Sequence, residues 1–243
     1  CFHAAVRINQ ALNEFGVGAD ILPASRVTEK TFDSYKLVIL PQIEYLPDSI
    51  CRYLEEYQRR GGRILAQCRL NRLDEFGKFR MESAPANLQE LFGLHIDESC
   101  NIRKEVDSRA FEYNERILPE KNESLEIEFM GKKVSLLSFM EKLLPDKCRV
   151  LQEYSAGLYQ ASPLFTEHCG AFYLGAPMDK TGLALVVKHL LKECDIPCWT
   201  VPPKCLRLQR GNTVFYINNT EEKVVFPEEN VELSPWECFR KEL

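Results

Sequence analysis

The clearest pattern of hydrophobic and polar positions lies in residues 35–69. Residues 36–40 form a short apolar run that ends at a proline, which is typical of a strand covered on both faces. Apolar positions in residues 47–60 then recur at helical spacing, and a glycine pair ends the helix. A second apolar run, residues 64–66, follows at once. This order predicts two parallel neighbouring strands joined by a right-handed helical crossover.

A helix is predicted before this unit, at residues 3–15, and Gly16 and Gly18 end it. Residues 19–22, which read ADIL and end at Pro23, then predict a short strand. A doubly wound domain normally opens with a strand, and none precedes this helix. We therefore expect that the first strand comes from sequence upstream of Cys1, or that the sheet is one strand short.

The pattern after position 68 is mixed. Residues 69–85 are polar and have no period, which is typical of a loop at the carboxyl edge of a sheet. Further helices are predicted at residues 87–92, 136–144 and 183–191, and further strands at residues 125–129, 134–136, 149–154, 163–165 and 171–175. Strands and helices that alternate in this way indicate the α/β class.

The last forty or so residues differ from the rest, because short apolar runs separated by glycine, asparagine and proline replace the alternation. They predict a small antiparallel β domain. The proline-rich break before them places a boundary near Trp199. We predict one domain at residues 1–198 and an all-β domain at residues 199–243, which is too small to be more than marginally stable alone.

Composition and charge argue against two classes of function, nucleic-acid binding and membrane association. The chain of 243 residues carries a net charge of −5 and has a pI near 5.6, and its basic residues are scattered among acids. This distribution predicts no nucleic-acid partner. No apolar run approaches the ~20 residues of a membrane span, and no leader is visible. We predict no membrane partner and a cytoplasmic location.

The ten cysteines are spread over a chain that can bury a large core. This spread favours reduced, structural thiols over disulfides. The closest group, Cys194, Cys198 and Cys205, lacks paired spacing and a nearby histidine, so it supports a zinc site only weakly. No metal and no cofactor are predicted.

Cys68 is the candidate nucleophile, because it follows a predicted strand and the turn GGRILAQCR. This position resembles the nucleophile of class I glutamine amidotransferases, where a histidine activates the thiol. No elbow glycine follows Cys68. The stretch in which those enzymes carry a His-Pro-Glu sequence here reads Ala176, Pro177, Met178, so the base is missing. His168, eight residues earlier, is the one late substitute, and a surface turn is its commoner role.

Other candidate residues are weaker. Hydrolysis of a glycoside needs two carboxyl groups that face one pocket from strand ends. Among the acids, Glu44, which follows the first predicted strand, is the candidate for such a site. Asn218 reads as a turn residue at a strand end. A sugar-binding surface would need an exposed aromatic residue from Tyr45, Tyr159 or Trp236.

Three segments, in order, carry a family resemblance: ALNEFGVGADILP, YKLVILPQIEYLPDSICRYLEEYQRRGGRILAQCRLN and VLQEYSAGLYQASPLFTEHCGAFYLGAPMD. Together they resemble the trimerisation domain of glycoside hydrolase family 42 β-galactosidases. The tail, LRLQRGNTVFYINNTEEKVVF with SPWECF, resembles the small β domain that ends those enzymes. The resemblance covers nearly the whole chain.

The resemblance implies a flavodoxin-like, class I glutamine amidotransferase-like three-layer sandwich that has lost its active site, followed by the small β domain. In that family, catalysis on β-D-galactosides belongs to an amino-terminal (β/α)8 barrel of ~200 residues or more. No such barrel precedes Cys1, so no catalytic residue is carried over. The implied partners are two further copies of the chain, in a homotrimer, and the barrel of the parent protein.

We therefore predict a non-catalytic region that assembles a β-galactosidase. Two alternatives stay open. One is an amidotransferase-like hydrolase or a thiol redox protein that uses Cys68, with His168 as the base, and it requires a depressed thiol pKa. The other is a carbohydrate-binding accessory module.

Overall fold

The structure is a computed structural model that describes residues 2–102 and 124–243. The chain divides into two compact units: unit 1 contains residues 24–182, and unit 2 contains residues 2–23 together with residues 183–243. The predicted boundary at residue 199 does not coincide with this division, because the first helix and most of the last helix group with the strands of the tail. It stays a prediction about folding units.

Unit 1 is an α/β unit in which strands outnumber helices. Its described strands are β1 (Leu37–Leu40), β2 (Arg63–Gln67), β3 (Leu94–Asn101), β4 (Ser124–Phe129), β5 (Lys132–Leu137), β6 (Phe139–Pro145), β7 (Arg149–Glu153), β8 (Pro163–His168) and β9 (Ala171–Leu174). The largest sheet has the order β1-β2-β9-β8-β7. β1, β2 and β9 are parallel, whereas β8 is antiparallel to both of its neighbours.

The predicted strand, helix, strand unit is confirmed. Helix α2 (Asp48–Arg59) connects β1 to β2, and Ile50, Leu54 and Tyr57 lie on its buried face. Each fully buried side chain of this size contributes roughly 2 kcal/mol to the stability of the fold. The helix ends at a glycine pair. A Cβ at Gly62 would lie 2.4 Å from the Tyr57 ring, so only glycine fits there.

One predicted helix is wrong. Residues 136–144 are not helical: they form the end of β5 and most of β6. β6 pairs with β3, an antiparallel partner about forty residues earlier in the chain. Phe139, Met140 and Glu141 are all buried, so adjacent residues are covered on both faces of the strand. A strand of this kind has no alternation, and its apolar run resembles a buried helix.

The other predicted elements of unit 1 are confirmed. The hairpin β4–β5 turns at Gly131, and β7, β8 and β9 lie where the pattern placed strands. Residues 69–85 form a loop, and a short helix, α3 (Gln89–Phe92), ends at Gly93 in the left-handed conformation. The main core of this unit is formed by α2, α3 and the strands against which they pack.

Unit 2 contains two helices and five strands among its described residues. These are α1 (Phe2–Asn13), α4 (Lys180–Glu193, of which residues 183–193 belong to this unit), β10 (Cys205–Arg210), β11 (Thr213–Asn218), β12 (Val224–Phe226), β13 (Val231–Leu233) and β14 (Cys238–Glu242). β11 lies between β10 and β14 in one antiparallel sheet, and β12 pairs with β13 in a second. The antiparallel strands predicted for the last forty or so residues are therefore confirmed.

The strand predicted at residues 19–22 does not form. Residues 17–23 have no regular structure, and Ile21 is 66% exposed. A segment this short becomes a strand only where another strand offers hydrogen-bonding partners, and none of the described strands pairs with it. Asp20 instead makes an ion pair with Arg210.

Two buried polar residues hold unit 2 together. Arg207 is 2% exposed, makes two hydrogen bonds of 2.8 Å to Glu229, and lies 3.5 Å from the centre of the Trp199 ring. Asn218 is fully buried, and its amide group donates to the carbonyl oxygens of Glu222 and Ser234. The prediction that Asn218 is a turn residue agrees with these contacts.

No helix within residues 2–102 and 124–243 is both long and apolar enough to cross a membrane.

Candidate functional site

Cys68 is the first residue after β2, at the carboxyl edge of the large sheet. Its backbone N–H donates to the carbonyl oxygen of Leu174 at 2.8 Å, which extends the pairing of β2 with β9 by one residue. The thiol is completely buried. Its sulfur lies 3.6 Å from the side-chain amide nitrogen of Gln42, which donates to it. No substrate reaches a sulfur in this position without local opening of the fold.

The chain turns immediately after the thiol. Arg69 has a φ of +68°, so the left-handed conformation falls on the residue after Cys68 and not on the cysteine itself. The backbone N–H of Arg69 donates to a carboxylate oxygen of Glu141 at 2.7 Å. A side chain from β6 therefore fixes the turn after Cys68.

Glu141 is the central group of this site. It is 2% exposed, and its second carboxylate oxygen accepts a hydrogen bond of 2.9 Å from the Tyr173 hydroxyl. The Tyr154 hydroxyl donates to its backbone carbonyl. Burial raises the pKa of Glu141 to about 7, although its hydrogen bonds and the nearby Arg72 and Arg69 act in the opposite direction. The carboxyl group therefore titrates near neutral pH.

The thiol is not activated. Burial and the adjacent Glu141 raise the pKa of Cys68 well above its ordinary value, and the hydrogen bond from Gln42 and the charges of Arg69 and Arg72 offset this only in part. A nucleophilic cysteine needs the opposite shift, because the thiolate is the reactive form. The electrostatics of the site therefore favour the neutral thiol.

His168 does not meet Cys68. It is the last residue of β8 and lies opposite Ala171, which in turn pairs with Ile64 near the start of β2. Cys68 follows the other end of β2, about 13 Å further along the strand at ~3.3 Å per residue. The Nδ1 atom of His168 lies 3.2 Å from the carbonyl oxygen of Lys147. The structure therefore does not form the predicted Cys68–His168 pair.

The predicted site acid, Glu44, belongs to a charge cluster. One carboxylate oxygen lies 3.0 Å from Nε of Arg69 and 2.9 Å from the guanidinium of Arg72. The Arg69 guanidinium also lies over the Phe139 ring, 4.9 Å from its centre. These contacts fasten the loop after β1 to the loop after β2, and they give Glu44 a structural role.

The remaining candidates lie apart. Tyr159 is buried against the Tyr154 ring, so it is wrong as a sugar-stacking residue, whereas Tyr45 is 37% and Trp236 66% exposed. The nine cysteines that the structure describes are free thiols. Within those described ranges, no three histidine, cysteine or acidic side chains come together as a metal site, and the three cysteines at positions 194, 198 and 205 are no exception.

Comparison with known proteins identifies the family. Residues 9–197, more than half of the chain, match the family described as the β-galactosidase trimerisation domain. The chain belongs to this family. The predicted resemblance is thereby confirmed for the trimerisation domain.

Two curated relatives of this trimerisation domain are whole β-galactosidases. BgaA of Clostridium cellulovorans is 22% identical over 223 residues, which cover 88% of the chain and 31% of BgaA. LacZ of Heyndrickxia coagulans is 22% identical over 223 residues, covering 89% of the chain and 29% of LacZ. The chain therefore spans about a third of the length of these relatives.

Solved structures show the same fold. The β-galactosidase from the psychrophilic Marinomonas ef1 superposes with a TM-score of 0.79 at 20% identity, over 99% of this chain and 33% of that one. Gan42B, a GH42 β-galactosidase from G. stearothermophilus, superposes with a TM-score of 0.78 at 18% identity, over 99% of this chain and 36% of that one.

The group that organises the site of this trimerisation domain, Glu141, is not among the residues predicted from the sequence. Glu141 was expected on a helix, where an acid is usually solvated, and Gln42 and Tyr173 were not singled out. The one available signal was a glutamate followed by a lysine between two pairs of apolar residues, in the segment FMEKLL. An acid among buried neighbours needs a hydrogen-bonding partner. In this site the partners are Tyr173 and the backbone of Arg69, and the result is a fixed turn.

Proposed function

We propose that this trimerisation domain is the assembly region of a larger β-galactosidase, in which it holds three subunits together. The single observation that carries the proposal is the family match over residues 9–197. It is supported by relatives that are whole β-galactosidases and extend over about three times the length of the chain. Hydrolysis of β-D-galactosides is assigned to a (β/α)8 barrel of that larger protein.

The proposal includes the ancestry of unit 1. Its parallel strands β1, β2 and β9, and a cysteine directly after β2, support a class I glutamine amidotransferase-like three-layer core. In this account the core has lost its thiol chemistry and keeps a structural role. The sealed sulfur of Cys68, the raised thiol pKa and the distant His168 all favour that loss.

Sedimentation velocity tests the assembly role. The purified chain, run at several concentrations, is expected to form a trimer in reversible equilibrium with the monomer. A strict monomer at every concentration, both for the chain and for the parent protein, would contradict the proposal.

Activity measurements test the assignment of catalysis elsewhere. The chain is expected to release no nitrophenol from 4-nitrophenyl β-D-galactoside above the rate in buffer, whereas the parent protein hydrolyses it. Turnover by the chain alone that survives Cys68→Ala and repeated purification would mean that this region contains a catalytic site of its own.

A carbohydrate-binding role is favoured by one observation, the 66% exposure of Trp236 in unit 2. Exposed tryptophan faces are typical of sugar-stacking surfaces. Titration of galactose and lactose, followed by tryptophan fluorescence, separates the two roles. Saturable quenching in the unchanged chain, together with heat of sugar binding by titration calorimetry that Trp236→Ala abolishes, would favour binding. A flat titration would leave assembly as the function. The cytoplasmic location stays a prediction.

A further inference from the structure

The exposed apolar side chains of unit 1 are concentrated at one edge of its large sheet. Six large hydrophobic residues are exposed in the described part of this unit: Tyr45 at 37%, Phe76 at 77%, Phe79 at 71%, Met81 at 100%, Val150 at 37% and Leu158 at 73%. Val150 lies within β7, and the other five lie in loops. Three of them come from one loop, the segment after β2.

These loops leave the sheet on the same side. β8 is antiparallel to both β9 and β7, so β7 runs in the same direction as β1 and β2. The loops that follow β1, β2 and β7 therefore all start at the carboxyl edge. They carry Tyr45, the group Phe76, Phe79 and Met81, and Leu158 respectively. Scattered single hydrophobic residues are normal on a surface, but five at one edge are not.

The segment that carries the three most prominent side chains, residues 73–81, is here called the prong. It is internally hydrogen-bonded. One Asp74 carboxylate oxygen accepts from the backbone N–H groups of Phe76 and Lys78, both at 2.9 Å. The Arg80 side chain donates to the carbonyl oxygen of Leu73, also at 2.9 Å. These hydrogen bonds already order the loop in the free chain. Its exposed apolar side chains would therefore lose little further conformational entropy when a partner binds.

The base of the prong is also fixed. The backbone N–H of Leu73 donates to the carbonyl oxygen of Glu44 at 2.8 Å, and the Arg72 guanidinium pairs with the Glu44 carboxylate. The prong therefore moves with the sheet edge, and its direction is set by the fold of unit 1.

The loop that carries Leu158, residues 154–162, is closed on itself in a similar way. The N–H of Tyr154 donates to the carbonyl oxygen of Ser162, and the N–H of Ala161 donates to that of Tyr154, both at 2.9 Å. Tyr159 points inward and anchors the loop, whereas its neighbour Leu158 points out. β9 and β8 separate β2 from β7, so the two loops start about 14 Å apart at ~4.8 Å per strand.

We propose that this edge is the contact between copies of the chain, with the prong of one copy seated against residues 154–162 of the next. This inference rests on the proposed assembly role and adds the surface. A second copy is the occupant because the family is a trimerisation domain. The acids and bases exposed on and beside the prong, Glu75, Lys78 and Glu82, are of both signs, so no strongly charged partner is favoured.

Two different contact patches on each copy are also consistent with an assembly of three subunits. A contact between two different patches is head-to-tail, and such contacts close into rings of three or more, whereas one patch that meets itself forms dimers. The prong and the Leu158 loop are different structures at different positions on the same edge. A ring of three copies satisfies one prong and one receiving loop in every subunit.

The test compares two triple variants of the purified chain. Phe76→Ser, Phe79→Ser, Met81→Ser removes the prong side chains, and Val225→Ser, Trp236→Ser, Phe239→Ser removes three exposed apolar side chains of unit 2 as a matched control. We expect the prong variant to be monomeric at concentrations at which the control and the unchanged chain are trimeric. The weakening is expected to be at least about 100-fold, the range of hot-spot loss. Circular dichroism and a thermal melt check that both variants are folded.

The outcomes separate this inference from the proposed function. If the unchanged chain and its parent protein are monomers, the assembly role itself fails. If the unchanged chain is a trimer and the prong variant is an equally stable trimer, the assembly role stands and the proposed surface is wrong.

A mixing experiment tests the head-to-tail geometry. The prong variant keeps an intact Leu158 loop, and a Leu158→Arg variant keeps an intact prong. We expect each variant alone to be monomeric and an equimolar mixture to form a heterodimer, because the mixture restores one complete contact. A mixture that contains monomers only would overturn the head-to-tail arrangement.

Discussion

At the scale of single residues, Glu141 has the strongest consequences. Its carboxyl group is buried, fixes the turn after Cys68 and has a pKa of about 7. Because that pKa is raised above the ordinary value of 4.5, the folded state holds the proton that the unfolded chain has already lost. The contribution of this proton to stability is complete below pH 4.5 and is lost as the pH rises to about 7.

Glu141→Gln is therefore expected to flatten the pH dependence of stability. A rise in the pKa of Glu141 from 4.5 to about 7 corresponds to ~3 kcal/mol of unfolding free energy. The unchanged chain should therefore lose about that amount of stability between pH 4.5 and pH 8. The glutamine variant, which keeps an oxygen acceptor, should lose much less. Urea unfolding at a series of pH values measures both, with the exposed Glu126→Gln as control. If the unfolding free energies of the unchanged chain and of E141Q depend on pH in the same way, Glu141 does not set the pH dependence of stability.

Cys68 is expected to be the least reactive of the described cysteines. Its sulfur is fully buried and its thiol pKa is raised, whereas Cys169, Cys198 and Cys238 are exposed. Alkylation of Cys68 should require local opening, and should be at least about 100-fold slower than at the exposed positions. Iodoacetamide labelling followed by peptide mass spectrometry gives the rates, and labelling in urea should remove the difference. Rapid labelling of Cys68 in the folded chain would revive the thiol-enzyme alternative.

At the scale of elements, local patterns predicted more than long-range pairings did. β1, α2 and β2 were predicted because one contiguous segment contains their strand runs, helix period and stop signals. β6 was missed, because its identity depends on β3, which contacts it from a distant part of the sequence. The strand predicted at residues 19–22 did not form, because none of the described strands pairs with that segment. Propensity decides an element only where tertiary contacts agree with it.

The end of α2 offers a test at this scale. Gly62→Ala would place a Cβ 2.4 Å from the Tyr57 ring, which is buried and whose hydroxyl donates to the carbonyl oxygen of Tyr35. The ring has to move, so we expect a loss of about 1–3 kcal/mol, the usual cost of overpacking. Gly18→Ala is the control, because its Cβ would meet nothing closer than 3.8 Å. Equal melting temperatures for G62A and G18A would show that the ring adapts freely.

At the scale of the whole molecule, the sequence predicted an α/β region followed by a small β region, and the structure has both. It did not predict that residues 2–23 group with the tail, because that grouping depends on contacts between the two ends of the chain, such as the 3.0 Å hydrogen bond from the Trp199 N–H to the Phe15 carbonyl. The candidate site was half predicted. Cys68 was found from its place after a strand, and Glu141 came from a strand that was not recognised.

Assembly has a thermodynamic signature that belongs to the whole molecule. If the folded chain associates and the unfolded chain does not, its melting temperature must rise with protein concentration. We expect a rise of several degrees for a 100-fold increase in concentration, and no rise for the variant without prong side chains. Scanning calorimetry at both concentrations measures it. If the melting temperature of the unchanged chain does not change with protein concentration, association does not stabilise the folded chain measurably.

The 3.6 Å contact between Gln42 and the Cys68 sulfur bears on how such a domain could change in evolution. Glutamine and histidine codons differ by a single base, so one point mutation would place an imidazole in the loop after β1, beside the sulfur of Cys68. The pH at which thiolate absorbance develops in Gln42→His would report whether the imidazole at position 42 lowers the pKa of the Cys68 thiol. Even then the sulfur would stay buried. A reactive thiolate and a path for a substrate to reach it would therefore have to arise by separate mutations.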